Sequence, residues 1–249
     1  GADLRCIRRS LEGSDVYFVA NAKNRSLAFE AKFSAKGLHA FVFDAVDPTA
    51  RPKRASADSI ELELAAYGSC FVVITDDESA ALAFDFESGT PTGLIEIDEW
   101  QLEIAGEQLV AGSTFDLAAN PDERVRYFSG VYSATAAFEL TAEKPGSSSG
   151  AVSLALPGLT GIAEVSVNGV FVGVAWAKGQ SIDLSSATKT GTNQISLKLA
   201  NGWRNRLIGD QHGKAAFEGQ AKTYLAYPIF EHDAQPAASG LLTPAQISF

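Results

Sequence analysis

Apolar and polar residues alternate with a period of two along most of this chain, and no other feature limits the fold as strongly. Leu27, Phe29, Ala31 and Phe33 alternate with Ala28, Glu30 and Lys32, and Ile60, Leu62 and Leu64 with Glu61 and Glu63. Ile195, Leu197 and Leu199 alternate in the same way with Ser196 and Lys198. A strand sends successive side chains to opposite faces, so this pattern puts one face on a core and the other in water. Turn chemistry separates the runs at Gly37, Lys178-Gly179 and Thr190-Gly191, and most clearly at Asn168-Gly169 between Val165/Val167 and Phe171/Gly173. An Asn-Gly pair between alternating strands is the signature of a tight hairpin.

Strands are expected near residues 4–9, 15–21, 26–34, 39–46, 59–65 and 69–75, and then near 95–104, 124–140, 151–156, 162–176, 180–184 and 194–200. A final extended region runs through 223–230 to 241–249. Convincing long helices are absent. The expected fold class is all-β, with two antiparallel β-sandwich domains in series. Residues 1–75 form a small sandwich, 76–93 an acidic connector or excursion, and 94–249 a second domain. Within 95–104 the phase changes, since Ile95 and Ile97 are odd while Trp100, Leu102 and Ile104 are even. A bulge or bend near Asp98-Glu99 is expected, as where a strand turns a sandwich corner. The run Pro145–Gly150 reads as a loop between strands, because no Lys-Ser/Thr pair follows to cradle phosphate.

Charge excludes some partners. Thirty acids against twenty bases give −10, which disfavours phosphate backbones and anionic membrane surfaces, so neither nucleic acid nor membrane is expected. No apolar run is long enough to span a bilayer, and no basic-then-apolar leader is visible. The chain starts at Gly1 and contains no methionine, which reads as a processed or excised piece.

The chemistry-bearing residues form no local motif. Cys6 and Cys70 are too few for a disulfide framework or a zinc site. Two buried thiols, one bridge between the first and last strands of the first region, and a catalytic cysteine all stay open. His39, His212 and His232 share no metal-ligand spacing. The acidic runs Asp76-Asp77-Glu78, Asp98-Glu99 and Asp122-Glu123 read as solvated surface, because adjacent strand residues face opposite ways. No cofactor is implied, although loop acids leave room for a structural calcium ion. Trp100, Trp176, Trp203, Tyr127, Phe128 and Tyr132 offer flat faces of the kind that stack on sugar rings, or simply pack a core.

One ordered series of segments is more specific. It comprises Val125–Gly130, Ala137–Leu140, Ile162–Gly169, Val172–Trp176, Ile182–Leu184, Gly191–Ile195, Asn201-Gly-Trp-Arg-Asn-Arg-Leu-Ile-Gly-Asp210 and Ser239–Pro244. In this order they resemble the C-terminal, galactose-binding-like jelly roll of glycoside hydrolases related to family 2, and in detail family 106, the α-L-rhamnosidase-type enzymes. Ile7–Arg9, Asp15–Asn21 and Ala66–Val73 resemble the sandwich preceding that jelly roll. Only 76–92 and 211–238 fall outside the resemblance.

The resemblance implies an accessory role. The catalytic carboxylates of such enzymes lie in a large upstream barrel that this chain lacks, so no catalytic residue carries over. Carbohydrate is a candidate partner: Trp176, Trp203, Arg204 and Asn205 match family positions that read first as structural, with direct sugar contact as the alternative. Asn168, Gly169, Arg206 and Asp210 are the candidate structural motif, with Arg206–Asp210 as an ion pair. A periplasmic or secreted location is implied by the resemblance alone. The Ala-Lys-Gly after Trp176 departs from the Pro-containing turn common in relatives. A free-standing carbohydrate-binding module and a purely structural or adhesive sandwich pair are the alternatives.

Overall fold

A computed structural model describes residues 3–35, 37, 39–46, 53–56, 59–77, 93–140, 152–177, 179–223 and 227–249. Most of the acidic connector, the Pro145–Gly150 loop and Lys178 lie outside these residues. The fold is all-β, built from antiparallel sheets. The chain divides into two compact units, Gly1–Thr90 with Ala177–Ser181, and Pro91–Trp176 with Ile182–Phe249.

The first unit contains β1 (Leu4–Leu11), β2 (Ser14–Asn21), β3 (Leu27–Ala31), β4 (His39–Asp44), β5 (Lys53–Ala55), β6 (Ile60–Leu64) and β7 (Ser69–Thr75). Five strands form one sheet in the order β1-β2-β7-β4-β5, and β3 pairs with β6 in the other. Tyr17, Val19, Val72 and Ile74 from the larger sheet meet Ile60, Leu62 and Leu64 from the smaller in one apolar core. The alternation at 60–64 is thus read correctly. The short strand β5 was not expected, because Lys53-Arg54-Ala55 has no apolar face of its own.

Cys6 and Cys70 do not pair. Cys6 lies opposite Val19, and Val19 opposite Cys70, so β2 separates the two thiols. Two strand spacings amount to roughly 9.6 Å, beyond the Cα separation that a disulfide spans. Cys6 is exposed rather than buried, and Cys70 is buried. Burial is the largest cause pushing the Cys70 thiol up to about 11, with Asp44 and Cys6 adding to it.

The second unit runs β8 (Leu94–Glu96), β9 (Trp100–Ile104), β10 (Glu107–Ala111), β11 (Phe115–Asp116), α1 (Glu123–Arg126), β12 (Val131–Leu140), β13 (Ser153–Ala155), β14 (Ile162–Val167), β15 (Val170–Ala175), β16 (Ser181–Asp183), β17 (Gly191–Ala200), α2 (Arg204–Gln211), β18 (Gly240–Leu241) and β19 (Gln246–Ser248). A six-stranded sheet, β10-β9-β12-β17-β14-β15, faces a four-stranded one, β16-β13-β19-β8. Trp100, Phe138, Val165 and Leu197 from the first share a core with Leu154, Ile182 and Ile247 from the second. The phase change expected within 95–104 is a change of sheet: β8 pairs with β19, and β9 with β10 and β12.

Two expectations need correction. Residues 124–140 are not one strand. Asp122 caps α1 by accepting the Arg124 N–H at 2.8 Å, and the strand starts only at Val131. The region 223–230 forms no strand among the described residues. The Asn168-Gly169 hairpin holds: φ is +50° and +81° at these residues, the left-handed pair that a two-residue turn requires. A Cβ on Gly173 would lie 3.2 Å from Ile182, tighter than ordinary contact.

Candidate functional site

The candidate residues collect at the end of the six-stranded sheet where β17 finishes. Val131 pairs with Ala200 and Ala200 with Ile162, and the Ala163–Ala175 register puts Trp176 beside Ile162. Paired residues share a face, and here it is the solvent face, with Val131, Ile162 and Trp176 all exposed. Trp203 follows Ala200 by three residues and is also exposed. The structure therefore brings Trp176 and Trp203 to one end of the sheet, and places the Asn168-Gly169 turn at the other.

Asn201 anchors the turn between β17 and α2. Its amide donates to the Phe128 carbonyl at 3.0 Å and to Ser239 Oγ at 2.9 Å, and accepts the Gly130 N–H at 2.9 Å. Trp203 stands at the N-cap of helix α2, where its side chain makes no capping bond. The helix has few apolar residues, so no hydrophobic stripe announces it in the sequence. Its buried face is instead polar and carried by Asn205 and Arg206, with Ile208 and Gly209. Gly209 lies so close to Tyr127 that a Cβ would sit 2.8 Å from the tyrosine Cβ.

Arg206 is fully buried and pairs with Asp210 at 2.6 Å, one turn further along the helix. Its Nη1 donates to the Ala215 carbonyl at 3.3 Å, and Nη2 also reaches the Lys214 carbonyl at 3.5 Å. Asp210 Oδ2 accepts both the N–H and the hydroxyl of Thr223 at 2.7 Å. Burial raises the Asp210 pKa, but the bonds from Thr223 and Arg206 outweigh it and hold the carboxyl below its ordinary value. This network fastens the helix to the segment 214–223.

Asn205 turns inward, with both of its side-chain polar atoms engaged. Its amide donates to the Ala237 carbonyl at 2.7 Å and accepts the Ala237 N–H at 2.8 Å, and the residue is buried. Gln211, which the sequence did not single out, clamps another loop. It accepts the N–H groups of Ile229 and Phe230 and donates to the Phe230 carbonyl at 2.6 Å. The clamp leaves Tyr227 and Ile229 exposed. Arg204 stacks over the Phe230 ring at 5.2 Å. Trp203, Arg204, Tyr227 and Ile229 thus flank one helix, and of the sugar-contact candidates only Trp176, Trp203 and Arg204 reach solvent.

The other aromatic candidates are core. Trp100 is fully buried, and Tyr127, Phe128 and Tyr132 are also buried. Phe115 stands edge-on to Trp100 and to Tyr132, and Phe128 edge-on to Tyr132 and Phe217.

At the opposite sheet end, Asn168 donates to the Ala187 carbonyl and to Asn193 Oδ1, both at 2.9 Å, and accepts the Gln194 N–H at 3.0 Å. Beside it is an open groove of about 850 Å³ lined by Glu96, Asp98, Glu99, Gln101, Glu139 and Lys189, among others. Three of its carboxylates already accept bonds: Glu96 from Gln246, Glu99 from Gln101 and Glu139 from Thr192. Asp122 and Glu123 are engaged elsewhere, with Arg124 and Lys214 holding their carboxyls below the ordinary range. Among the described residues, no group of three or more His, Cys, Asp or Glu is arranged to hold a metal ion. His212 and His232 lie with ring centres 5.9 Å apart, and His39 is in the other unit.

No protein-family profile matches the chain. A rhamnosidase from Novosphingobium sp. PP1Y superimposes over 99% of the chain with a TM-score of 0.77 and 26% identity. A putative β-glucuronidase from Formosa agariphila is 30% identical over 151 residues, 53% of the chain. This is a β-rich region related to glycoside hydrolases. It spans 24% of the rhamnosidase chain and 13% of the glucuronidase relative.

Proposed function

We propose that this chain is the C-terminal accessory region of a family-106-like, α-L-rhamnosidase-type glycoside hydrolase. It contains no catalytic pair of its own, braces an upstream catalytic barrel and contacts carbohydrate at the Trp203 end of the second unit. The parent enzyme works in the periplasm or outside the cell. The observation that carries this reading is the superposition of both units, over 99% of the chain, on about a quarter of a rhamnosidase.

The sugar contact rests on Trp176, Trp203 and Arg204, which are exposed although nearby aromatics are buried. An exposed indole offers its face to the C–H side of a sugar ring, and a guanidinium donates to the hydroxyl rim. Asn205 supports this surface by fixing Ala237 and does not touch the sugar. The exposed tryptophans equally suit a free-standing carbohydrate-binding module. Sequencing the gene upstream of the Gly1 codon separates the two: an in-frame, barrel-length segment supports the accessory reading, and a start codon or signal peptide directly before it refutes that reading.

A further inference from the structure

The outward face of the five-stranded sheet in the first unit is apolar and basic, in a chain whose charge is −10. Strand pairing fixes its rows. Ile7 lies opposite Phe18, Phe18 opposite Phe71, and Phe71 opposite Phe43. The next row is Arg9, Val16, Val73, Phe41 and Arg54, in which Phe41 is buried, so the open part of the face lies towards β1. Asp15 and Asp44, the carboxylates on these strands, occupy the alternate positions and face the other way. Arg8 also faces that way and pairs with Asp15 at 2.9 Å.

At the edge of this face lies β1, whose far side has no neighbouring strand among the described residues. Arg5, Ile7 and Arg9 project outward from it, all exposed, and neither Arg5 nor Arg9 has an ion pair among the described residues. Charged residues on an edge strand also deter indiscriminate pairing. Here, however, all the charge has one sign, and it brackets an apolar residue that heads an aromatic row. We infer that β1 is a strand-addition site for an extended polypeptide segment with an acid-x-apolar-x-acid pattern. Arg5 and Arg9 are four residues apart, roughly 13 Å along a strand. An added strand repeats that spacing, so its two carboxylates meet the two guanidiniums while its central apolar side chain extends the row Ile7–Phe18–Phe71. The open edge supplies main-chain hydrogen bonds, and the arginines supply the sequence preference.

Other occupants fit less well. A second β1 would place arginine against arginine. An anionic membrane would attract three arginines but meet a chain of net −10.

Two labelled nine-residue peptides test the inference, one centred on Asp-Thr-Phe-Thr-Asp and the other on Lys-Thr-Phe-Thr-Lys. Fluorescence anisotropy with the intact chain should show the acidic peptide binding at least about tenfold more tightly, with the preference reversed in the Arg5→Glu/Arg9→Glu variant. Both substitutions are at exposed positions, and a circular dichroism melt confirms the fold. Amide exchange should show protection on β1. Equal binding of the two peptides, a preference that survives the double substitution, or protection away from β1 would overturn the inference. So would sedimentation of the chain with phosphatidylserine vesicles that the double substitution abolishes while peptide binding stays indifferent to charge.

Discussion

Replacing Asp210 with alanine should be among the most destabilising single changes in the second unit. The substitution removes the 2.6 Å bond from Arg206 and two 2.7 Å bonds from Thr223. It also strands a guanidinium that is fully buried and whose Nε already lacks a partner among the described residues. The carbonyls of Ala215 and Lys214, at 3.3 and 3.5 Å, cannot neutralise it. Breaking a buried ion pair from one side costs about 3–5 kcal/mol. At about 2–4 °C per kcal/mol for a domain of this size, the melting temperature should fall by roughly 6–20 °C. Urea unfolding of the wild type, Asp210→Ala and the double variant Arg206→Met/Asp210→Leu measures the effect. The double variant should recover most of the loss, because it leaves no buried charge. The pH dependence follows from the lowered Asp210 pKa. Its stabilisation is full above the unfolded carboxylate value of about 3.9 and is lost as pH falls through the lower folded value. Asp210→Ala should therefore be less sensitive to acid in that window. A loss under about 1 kcal/mol, or a double variant no better than the single, would refute the latch.

Gly209→Ala should cost about 1–3 kcal/mol by overpacking, since the new methyl would sit 2.8 Å from Tyr127 Cβ; an unchanged denaturation midpoint would contradict this. Under native, non-reducing conditions Cys6 should react with a thiol reagent well before Cys70, whose thiol is buried and pushed up to about 11, and both should titrate after denaturation. A single disulfide found by mass spectrometry would contradict the strand order. Trp203→Ala and Trp176→Ala should each leave the melting temperature within about 2 °C, consistent with exposed positions, yet weaken glycan retention on affinity gels. Retention unchanged in both variants would remove the sugar contact.

Much of the fold was legible because a buried strand face writes itself into the sequence. Ile195, Leu197 and Leu199 predicted β17, and the odd-to-even shift between Ile97 and Trp100 marked the change of sheet. Helix α2 was not legible for the same reason: its buried face is Asn205 and Arg206, residues that a hydrophobic pattern counts as exposed. The Arg206–Asp210 pair could be expected from its spacing of four once the segment was seen as ordered. The clamps of Gln211 on Phe230 and Asn205 on Ala237 join residues far apart in sequence, and no local pattern carries them. Trp100 and Tyr132 looked like platforms because exposure is a tertiary property, and the core around Phe115 claims both.

The most direct test is turnover of an aryl α-L-rhamnoside by the isolated chain and by the product of its whole open reading frame. An accessory role predicts hydrolysis by that product and none above background by the isolated chain. Hydrolysis by the isolated chain, abolished by substituting one of its own carboxylates such as Glu99→Gln, would contradict it.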